Sequence, residues 1–231
     1  MSTTYLITGA NRGIGLELSK NVLSAGDRLI AICRQPDTAT ELQTLVKKSD
    51  GRAQIFGADV SQAATLDDLA QRLDATIDVL VCNAGVMSAR GSLTDPQNTV
   101  DSVSTVLMTN IAGPFFTARA FVKNLKQSKQ PRIAIISSYM GSQQHTGAGA
   151  YFYRASKAGA NNIMVTLANE LKAQGIAVAS YHPGWVQTDM GGSAADISVS
   201  VSATGLIKRF RELDLAKTGR FCNYDGSDLP L

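Results

Sequence analysis

Short apolar runs recur along this chain and alternate with longer stretches of helical character. Runs such as Val79 to Cys82 and Ile133 to Ile136 are continuously apolar, which is typical of strands that a parallel sheet buries on both faces. Runs of this kind predict strands at 5–8, 28–33, 53–57, 77–82, 132–137, 176–182 and 220–224. The stretches between them must then supply the helices that cover the sheet.

Several of the intervening stretches begin or end at Ser, Asp, Gly or Pro, as helices do. They predict helices at 13–25, 38–48, 62–73, 99–127, 155–173 and 199–213. The strict β-α-β-α order predicts an α/β protein, a single-domain Rossmann fold with a doubly wound, parallel, seven-stranded sheet and helices on both faces. In such a sheet, ligands bind at the carboxyl ends of the strands.

Composition limits the number of domains and the classes of partner. A chain of 231 residues, of which 44% are hydrophobic, can bury its core as one domain over residues 1–231; two smaller domains are possible but not required. The formal net charge is +3, and the densest basic group, Lys208, Arg209 and Arg211, is interpreted as the solvated face of a helix. Nucleic acid is therefore not an expected partner.

The chain shows no sequence signal for a membrane, an oxidising compartment or a metal. It has no run of about eighteen apolar residues and no charged and then apolar leader, so neither a membrane span nor a secretory signal is expected. Cys33, Cys82 and Cys222 lie far apart and are odd in number, as in reduced cytoplasmic proteins. His145 and His182 lack metal-ligand spacing, so no metal site is expected.

A glycine-rich segment follows the first predicted strand and opens the first predicted helix. In Thr8-Gly9-Ala-Asn-Arg-Gly13-Ile-Gly15, the glycines leave room for a pyrophosphate to approach backbone N–H groups at a helix N-terminus. The spacing differs from the usual Gly-x-Gly-x-x-Gly, so a glycine-rich turn without a ligand is the alternative. The position after strand one favours a dinucleotide site formed by Gly9, Asn11, Arg12, Gly13, Ile14 and Gly15.

The end of the second predicted strand indicates which dinucleotide is bound. Enzymes that use NAD usually place an acid there for the ribose 2′-hydroxyl, whereas this chain has Arg34, and Asp37 lies beyond Pro36. Arg34 and Arg12 can instead pair with a 2′-phosphate, so NADP(H) is favoured over NAD(H). The alternative is that both arginines are ordinary surface residues.

Two further strand ends are expected to line the adenine side of the same crevice. They are formed by Asp59 and Val60 after the third strand, and by Asn83, Ala84 and Gly85 after the fourth. Asp59 can accept a hydrogen bond from the adenine amino group. Its alternative role is to cap the following helix, which Ser61 could equally do.

Tyr153 and Lys157 are the candidate catalytic pair. Their spacing of four residues places both side chains on one helix face. A phenol has a pKa of about 10, and a nearby cation can lower that pKa by about 1–3 units, which would let Tyr153 exchange a proton near neutral pH. Tyr151, six residues before Lys157, is expected to project from another face.

Two further polar residues are candidates for the reaction centre. Ser138 is expected to end the fifth strand with its hydroxyl in the crevice, where it can hold a substrate oxygen, with Ser137 as the alternate on the opposite face. Asn110 lies in an apolar helical stretch, where a buried amide needs a partner. Taken alone, Asn110 is better explained as a structural residue.

Together these residues resemble the short-chain dehydrogenase/reductase family over essentially the whole chain. The shared motifs are Thr8 to Gly15, Asn83 to Gly85, the set Asn110, Ser138, Tyr153 and Lys157, and Pro183-Gly184-Trp-Val186-Gln-Thr188. The arginine after strand two, the ending Gly219 to Gly226 and the short length are similar to the branch of C-factor-type proteins and small carbonyl reductases. Cys82 departs from the family pattern, where many members have Asn, and is expected to alter packing only.

The resemblance implies several roles. Lys157 would also bind the nicotinamide ribose, Asn110 would anchor a water-linked proton relay, and Val186 and Thr188 would contact the carboxamide, beside Pro183 and Gly184. It further implies a homodimer or homotetramer formed through the long helices.

The substrate is expected to be a small carbonyl compound or alcohol. Two segments would choose it, 141–152 and 189–213, with Gln143, Gln144, His145, Trp185 and Met190 as candidate lining residues. The alternative function is a dinucleotide-binding signalling protein in which occupancy rather than turnover matters. The set Ser138, Tyr153 and Lys157 favours the enzyme, because a binding module has no use for a tuned phenol.

Overall fold

Residues 2–231 are described by a computed structural model in which the strands form one parallel sheet. The strands are β1 (Thr4–Thr8), β2 (Arg28–Cys33), β3 (Ala53–Gly57), β4 (Val79–Cys82), β5 (Arg132–Ile136), β6 (Ala177–His182) and β7 (Phe221–Asn223). Their order across the sheet is β3-β2-β1-β4-β5-β6-β7. The winding therefore reverses between β1 and β4, where a doubly wound sheet forms its ligand crevice.

Helices connect the strands. They are α1 (Gly13–Ser24), α2 (Thr40–Lys47), α3 (Ala63–Arg72), α4 (Val100–Leu107), α5 (Gly113–Leu125), α6 (Tyr151–Leu171) and α7 (Val199–Glu212). None of the helices formed by residues 2–231 combines the length and the apolar character that a bilayer crossing requires.

The sheet has a hydrophobic core on each face, as the apolar strand sequences predict. In β1 the side chains alternate between the two cores: Tyr5 and Ile7 pack with Phe210 of α7, whereas Leu6 packs with Phe121 of α5. The first core lies under α1, α2 and α7, and the second under α3, α5 and α6. The predicted fold class, a seven-stranded doubly wound α/β sheet, is confirmed.

Two predicted boundaries near the candidate site are wrong. The helix predicted at 155–173 begins four residues earlier, at Tyr151, because Gly149 (φ 76°) and Ala150 (φ 46°) adopt left-handed conformations that turn the chain into the helix axis. The fifth strand ends at Ile136, so Ser137 and Ser138 follow it rather than close it. Ser137 N still donates to the Tyr181 carbonyl of β6 at 2.8 Å, whereas Ser138 lies beyond the sheet.

The long helix predicted at 99–127 contains an irregular turn. Helices α4 and α5 are joined by a π-helical turn, Met108–Ala112, which contains Asn110. Pro114 follows at the start of α5, and it has no N–H with which to bond the Asn110 carbonyl. Wide turns of this kind occur often at functional sites because they redirect a side chain out of the helix register.

The outer edge of β7 is covered by the chain that follows it. Asn223 N donates to Ser227 O at 2.8 Å, and Leu229 N donates to Phe221 O at 2.9 Å. Cys222 and Asp228 form an antiparallel bridge in the same segment. The backbone groups on that side of β7 are thus already paired.

Thr8 and Asn83 join the ends of β1 and β4. The Thr8 hydroxyl accepts hydrogen bonds from the backbone N–H groups of Asn83 and Ala84, both at 3.1 Å, and Thr8 is 1% exposed. In return, Asn83 Nδ2 donates to the carbonyl oxygens of Thr8 at 2.9 Å and Gly9 at 3.2 Å. The two central strands are therefore locked together at the reversal point.

We expect Thr8→Val to lower the free energy of unfolding by about 1–3 kcal/mol, because it leaves the part-buried Ala84 N–H without an acceptor and Asn83 N–H with only its 3.0 Å bond to the Val81 carbonyl. Denaturant unfolding checks this. Thr8→Ser is the control: it keeps the hydroxyl and removes one methyl group, so its loss should be clearly smaller. Equal losses in the two variants would contradict the role given to the hydroxyl.

Candidate active site

A cavity of about 430 Å³ opens at the carboxyl ends of β1 and β4. It is lined by most of the residues predicted to bind a dinucleotide: Gly9, Asn11, Arg12, Gly13, Ile14, Gly15, Arg34, Asp59, Val60, Asn83, Ala84, Gly85, Tyr153, Lys157, Pro183 and Thr188. Gly184 and Val186 are not part of this lining. Gly184 packs against Ile197 and Tyr224, and the backbone of Val186 pairs with that of Ile197.

The glycine turn fits against the reversal point only because its glycines lack side chains. A Cβ at Gly15 would overlap the Gly9 carbonyl oxygen and would lie 2.5 Å from Asn83 Nδ2. Gly9 also has a positive φ of 65°, which an L side chain disfavours. The backbone is therefore closely packed beneath the cavity floor.

The N-terminus of α1 is suited to a phosphate group. No side chain caps this helix, its N-cap residue is Arg12, and its first turn contains no acidic residue. Helix N-termini leave backbone N–H groups without intrahelical partners, and these carry partial positive charge. The uncapped helix end and the glycine turn together fit the pyrophosphate of a dinucleotide.

The two arginines predicted to select the cofactor both line the cavity, whereas Asp37 does not. Arg34 is exposed at the end of β2. Arg12 Nη1 lies 3.0 Å from Asp189 Oδ2 in an ion pair whose side chains are 58% and 82% exposed. Exposed ion pairs contribute only about 0–1 kcal/mol, so Asp189 does not prevent Arg12 from turning to a phosphate.

Asp59 forms a turn before helix α3 instead of capping it. Its Oδ1 atom accepts hydrogen bonds from Ser61 N at 2.9 Å and Ser61 Oγ at 2.7 Å. Helix α3 begins only at Ala63, and its N-cap residue, Gln62, makes no side-chain cap. The alternative in which Asp59 or Ser61 caps this helix is therefore wrong, because their contacts close a turn that ends before the helix starts.

Tyr153 and Lys157 lie together on the buried face of α6, and only 8% and 5% of their surfaces are exposed. Lys157 Nζ lies 5.6 Å from the centroid of the Tyr153 ring. It donates a hydrogen bond of 2.9 Å to the Ile136 carbonyl at the end of β5. Tyr151, the first residue of the helix, is 45% exposed, as expected for a residue on another face.

Burial shifts the pKa values of the pair in opposite directions. It raises the pKa of Tyr153 to about 12, against a hydrogen bond from Ser138 and the positive charge of Arg90, which both act to lower it. It lowers the pKa of Lys157 to about 8. The expectation that Lys157 lowers the pKa of the phenol is therefore wrong for this structure. Loss of hydration outweighs the positive charge of Arg90, and the Lys157 ammonium is directed at the Ile136 carbonyl.

Ser138 and Ser137 direct their hydroxyls to different partners. Ser138 is buried, contacts Tyr153 through its hydroxyl and accepts a hydrogen bond from Met140 N at 3.2 Å. Ser137 Oγ donates to the Lys157 carbonyl at 3.3 Å, although Ser137 also lines the cavity. Of the two, Ser138 is the serine whose hydroxyl adjoins the phenol.

Asn110 is buried and fully engaged with its neighbours. Its Oδ1 atom accepts from Val86 N at 2.9 Å, and its Nδ2 atom donates to Val86 O at 2.8 Å and to Ser156 Oγ at 2.9 Å. The amide therefore joins the π-helical turn to helix α6 and to the segment after β4. Gly85 lies between Asn110 Oδ1 and Lys157 Nζ, since a Cβ there would be 3.4 Å and 3.5 Å from these atoms.

Of the five candidate substrate residues, only Met190 lines the cavity. His145 packs edge-on against Tyr139, with ring centroids 5.3 Å apart, and Trp185 Nε1 donates to Gly191 O at 2.9 Å. Gln143 and Gln144 are exposed outside the lining.

Cys82, which stands where many family members have Asn, is packed in the interior. It is buried against the Pro114 carbonyl, 3.9 Å from Sγ, and burial raises the pKa of its thiol to about 12.

Several residues that line the cavity received no individual role from the sequence. Asp189 and Gln187 follow the Pro-Gly segment, and Val86 and Thr109 flank Asn110 in the fold. Arg90, whose charge acts on Tyr153, was also missed. In the sequence, Arg90 could have been noticed only because it follows a central strand. Ordinary surface arginines also occur in such loops, so this position does not distinguish it.

Comparison with known proteins identifies the family. The sequence model of the protein family described as short chain dehydrogenase matches residues 3–197. An uncharacterized oxidoreductase of Schizosaccharomyces pombe is 32% identical over 261 aligned residues, which cover 100% of both chains. The C-signal of Myxococcus xanthus is 36% identical over 155 residues, which cover 67% of this chain and 92% of that protein. A carbonyl reductase from chicken fatty liver with bound NADPH has a TM-score of 0.91 at 30% identity over 100% of both chains. The chain belongs to the short-chain dehydrogenase family.

Membership of this family, together with the cavity, defines the class of protein. It is an NAD(P)-dependent oxidoreductase of the dehydrogenase/reductase type. Its resemblance to the C-factor-type and carbonyl reductase branch is supported by similarity to both kinds of protein.

We expect the Lys157 ammonium to lose its proton with a midpoint near pH 8, because burial removes its hydration and favours the neutral amine. NMR titration of ¹³C-labelled lysine Cε signals checks this, and Lys157→Arg assigns the signal. A midpoint near the ordinary lysine value of about 10.4 would show that hydrogen bonding to Ile136 outweighs burial.

Proposed function

We propose that this protein is an NADPH-dependent carbonyl reductase in which Tyr153 is the general acid. The observation that carries the proposal is that Tyr153 and Lys157 line a cavity whose floor is the glycine turn, while Ser138, outside the lining, adjoins the phenol. The glycine turn and the Tyr153–Lys157 pair line the same cavity, which supports cofactor binding and proton transfer in one crevice. The substrate class is a small carbonyl compound, or the corresponding alcohol in the reverse direction.

The proton chemistry favours reduction. A bound nicotinamide would supply hydride to a carbonyl carbon, so the protein would have to supply a proton to the oxygen. With its pKa raised to about 12, the Tyr153 phenol is protonated at neutral pH and can donate that proton. Alcohol oxidation instead requires the phenolate, which becomes available only when the pKa falls.

Ser138 and Lys157 support the same step. The Ser138 hydroxyl contacts the phenol and can hold the substrate oxygen beside it as negative charge develops. The Lys157 ammonium, when charged, stabilises the phenolate that remains after proton transfer. Asn110 forms hydrogen bonds with Val86 and Ser156 near this pair. From that position it would anchor the proposed water-linked proton relay.

NADP(H) is proposed as the cofactor in preference to NAD(H). Arg34 and Arg12 both line the cavity, and the acid usual in NAD enzymes is missing from the end of β2. The similar chicken liver carbonyl reductase has NADPH bound. A guanidinium group can pair with a 2′-phosphate through two parallel hydrogen bonds.

The alternative function is a dinucleotide-binding signalling protein, and similarity to the C-signal of Myxococcus xanthus favours it. A protein that only binds a dinucleotide does not require a buried phenol beside a buried ammonium. An enzymatic function therefore explains more of the site's residues. Cytoplasmic location and a homodimer or homotetramer stay predictions. Exposed apolar side chains on the α4–α5 face, Met108 and Phe115, support assembly through these helices.

We expect Tyr153→Phe to lower kcat/KM for NADPH-dependent carbonyl reduction by about 10²–10⁴-fold, because the general acid is removed while the ring is kept. Consumption of NADPH with a panel of aldehydes, ketones and quinones measures this. Tyr151→Phe removes an exposed hydroxyl two residues away and should retain wild-type rates. Equal turnover by wild type and Tyr153→Phe would remove Tyr153 from the reaction.

We expect Arg34→Ala to weaken NADPH binding by about 10–100-fold and NADH binding far less, because a charge-assisted hydrogen bond contributes about 1.5–3 kcal/mol. Fluorescence titration of both cofactors measures the preference. Arg28→Ala is the matched control, since Arg28 is exposed at the opposite end of the same strand. An unchanged NADPH/NADH ratio in Arg34→Ala would exclude Arg34 from cofactor selection.

A further inference from the structure

Arg90 is an exposed residue that lies beside the cavity, in contact with one of the residues that line it. It lies in the loop between β4 and α4, and its carbonyl accepts a hydrogen bond from Ala150 N at 3.2 Å, at the entrance to α6. On the other side its guanidinium donates to the Met190 carbonyl, and Met190 lines the cavity. The guanidinium is therefore held at the substrate end, between the helix that carries the phenol and the segment that follows β6.

The charge of Arg90 is not neutralised by the protein. Among residues 2–231, no carboxylate forms an ion pair with Arg90. Asp189, beside Met190, pairs with Arg12, and the carboxylate of Asp95 accepts hydrogen bonds from Gly91 N at 3.1 Å and Gln97 N at 2.9 Å. A guanidinium has five N–H donors, and the bond to Met190 uses one of them.

The positive charge also reaches the reaction centre. It acts to lower the pKa of the Tyr153 phenol, so the guanidinium lies within electrostatic range of the phenol. A substrate whose carbonyl oxygen meets Tyr153 would therefore extend towards Arg90. The far end of such a substrate would face an exposed cation that contacts Met190 of the cavity lining.

We propose that Arg90 binds a carboxylate of the substrate, so that the protein prefers small carbonyl compounds that carry an acid group. This rests on the proposed reductase function and names its substrate class. The planar guanidinium fork matches a carboxylate through two parallel hydrogen bonds, which also fixes the direction in which the carbonyl enters. An arginine that only held Met190 in place would give no preference for acids.

The test compares two substrates that differ in one charge. Wild type, Arg90→Gln and Arg90→Lys are assayed with NADPH and either 4-formylbenzoate or its methyl ester. Wild type should show a higher kcat/KM for the acid, and the acid/ester ratio should fall at least tenfold in Arg90→Gln and less in Arg90→Lys. Arg154→Gln is the matched control, because Arg154 similarly donates to a loop carbonyl, that of His145, and should keep the wild-type ratio.

A binding measurement distinguishes failure of this proposal from failure of the reductase proposal. Calorimetry with the NADP⁺ complex measures the affinity for 4-(hydroxymethyl)benzoate and for its methyl ester, without turnover. Tighter binding of the acid that is lost in Arg90→Gln supports the carboxylate site, even if neither aldehyde is reduced. Failure of the wild type to favour the acid, or an equal loss for acid and ester in Arg90→Gln, would overturn it and leave Arg90 as a loop contact.

Discussion

The hydrogen bonds between Thr8 and Asn83 are the constraint on which the site depends. They hold the carboxyl ends of β1 and β4 together at the one place where the sheet reverses its winding. The glycine turn is packed against this junction so closely that Gly15 has no room for a Cβ. The turn, the uncapped start of α1 and the segment around Gly85 are therefore positioned by the same few contacts, and the cavity is formed above them.

Burial is the second determinant of the chemistry. It favours the neutral form of both members of the pair on α6, which keeps the Tyr153 phenol protonated and makes the Lys157 ammonium easy to deprotonate. In such a site the Tyr153 phenol keeps its proton until negative charge develops on a neighbouring substrate oxygen. The contacts of Ser138 and the charge of Arg90 then act in the direction that favours release.

Features that depend on local pattern could be predicted from the sequence. Continuous apolar runs located the strands, and the glycine spacing and the Tyr153–Lys157 interval located the two ends of the site. Features that depend on tertiary contacts could not. The start of α6 at Tyr151 depends on two left-handed residues, the turn at Asp59 depends on Ser61, and the pKa of Tyr153 depends on a depth of burial that no spacing records. Arg90 was missed because only the fold brings its charge within electrostatic range of the phenol.

The covered edge of β7 has a consequence for how molecules of this protein meet. A free strand edge is a template on which a second chain can add its own strand, and long exposed edges promote aggregation. Here the segment around Ser227 and Leu229 already occupies the hydrogen-bonding groups of that edge. Growth of one continuous sheet from molecule to molecule is thus blocked at β7, which leaves helical faces rather than β-strand pairing as the surfaces for association on that side of the fold.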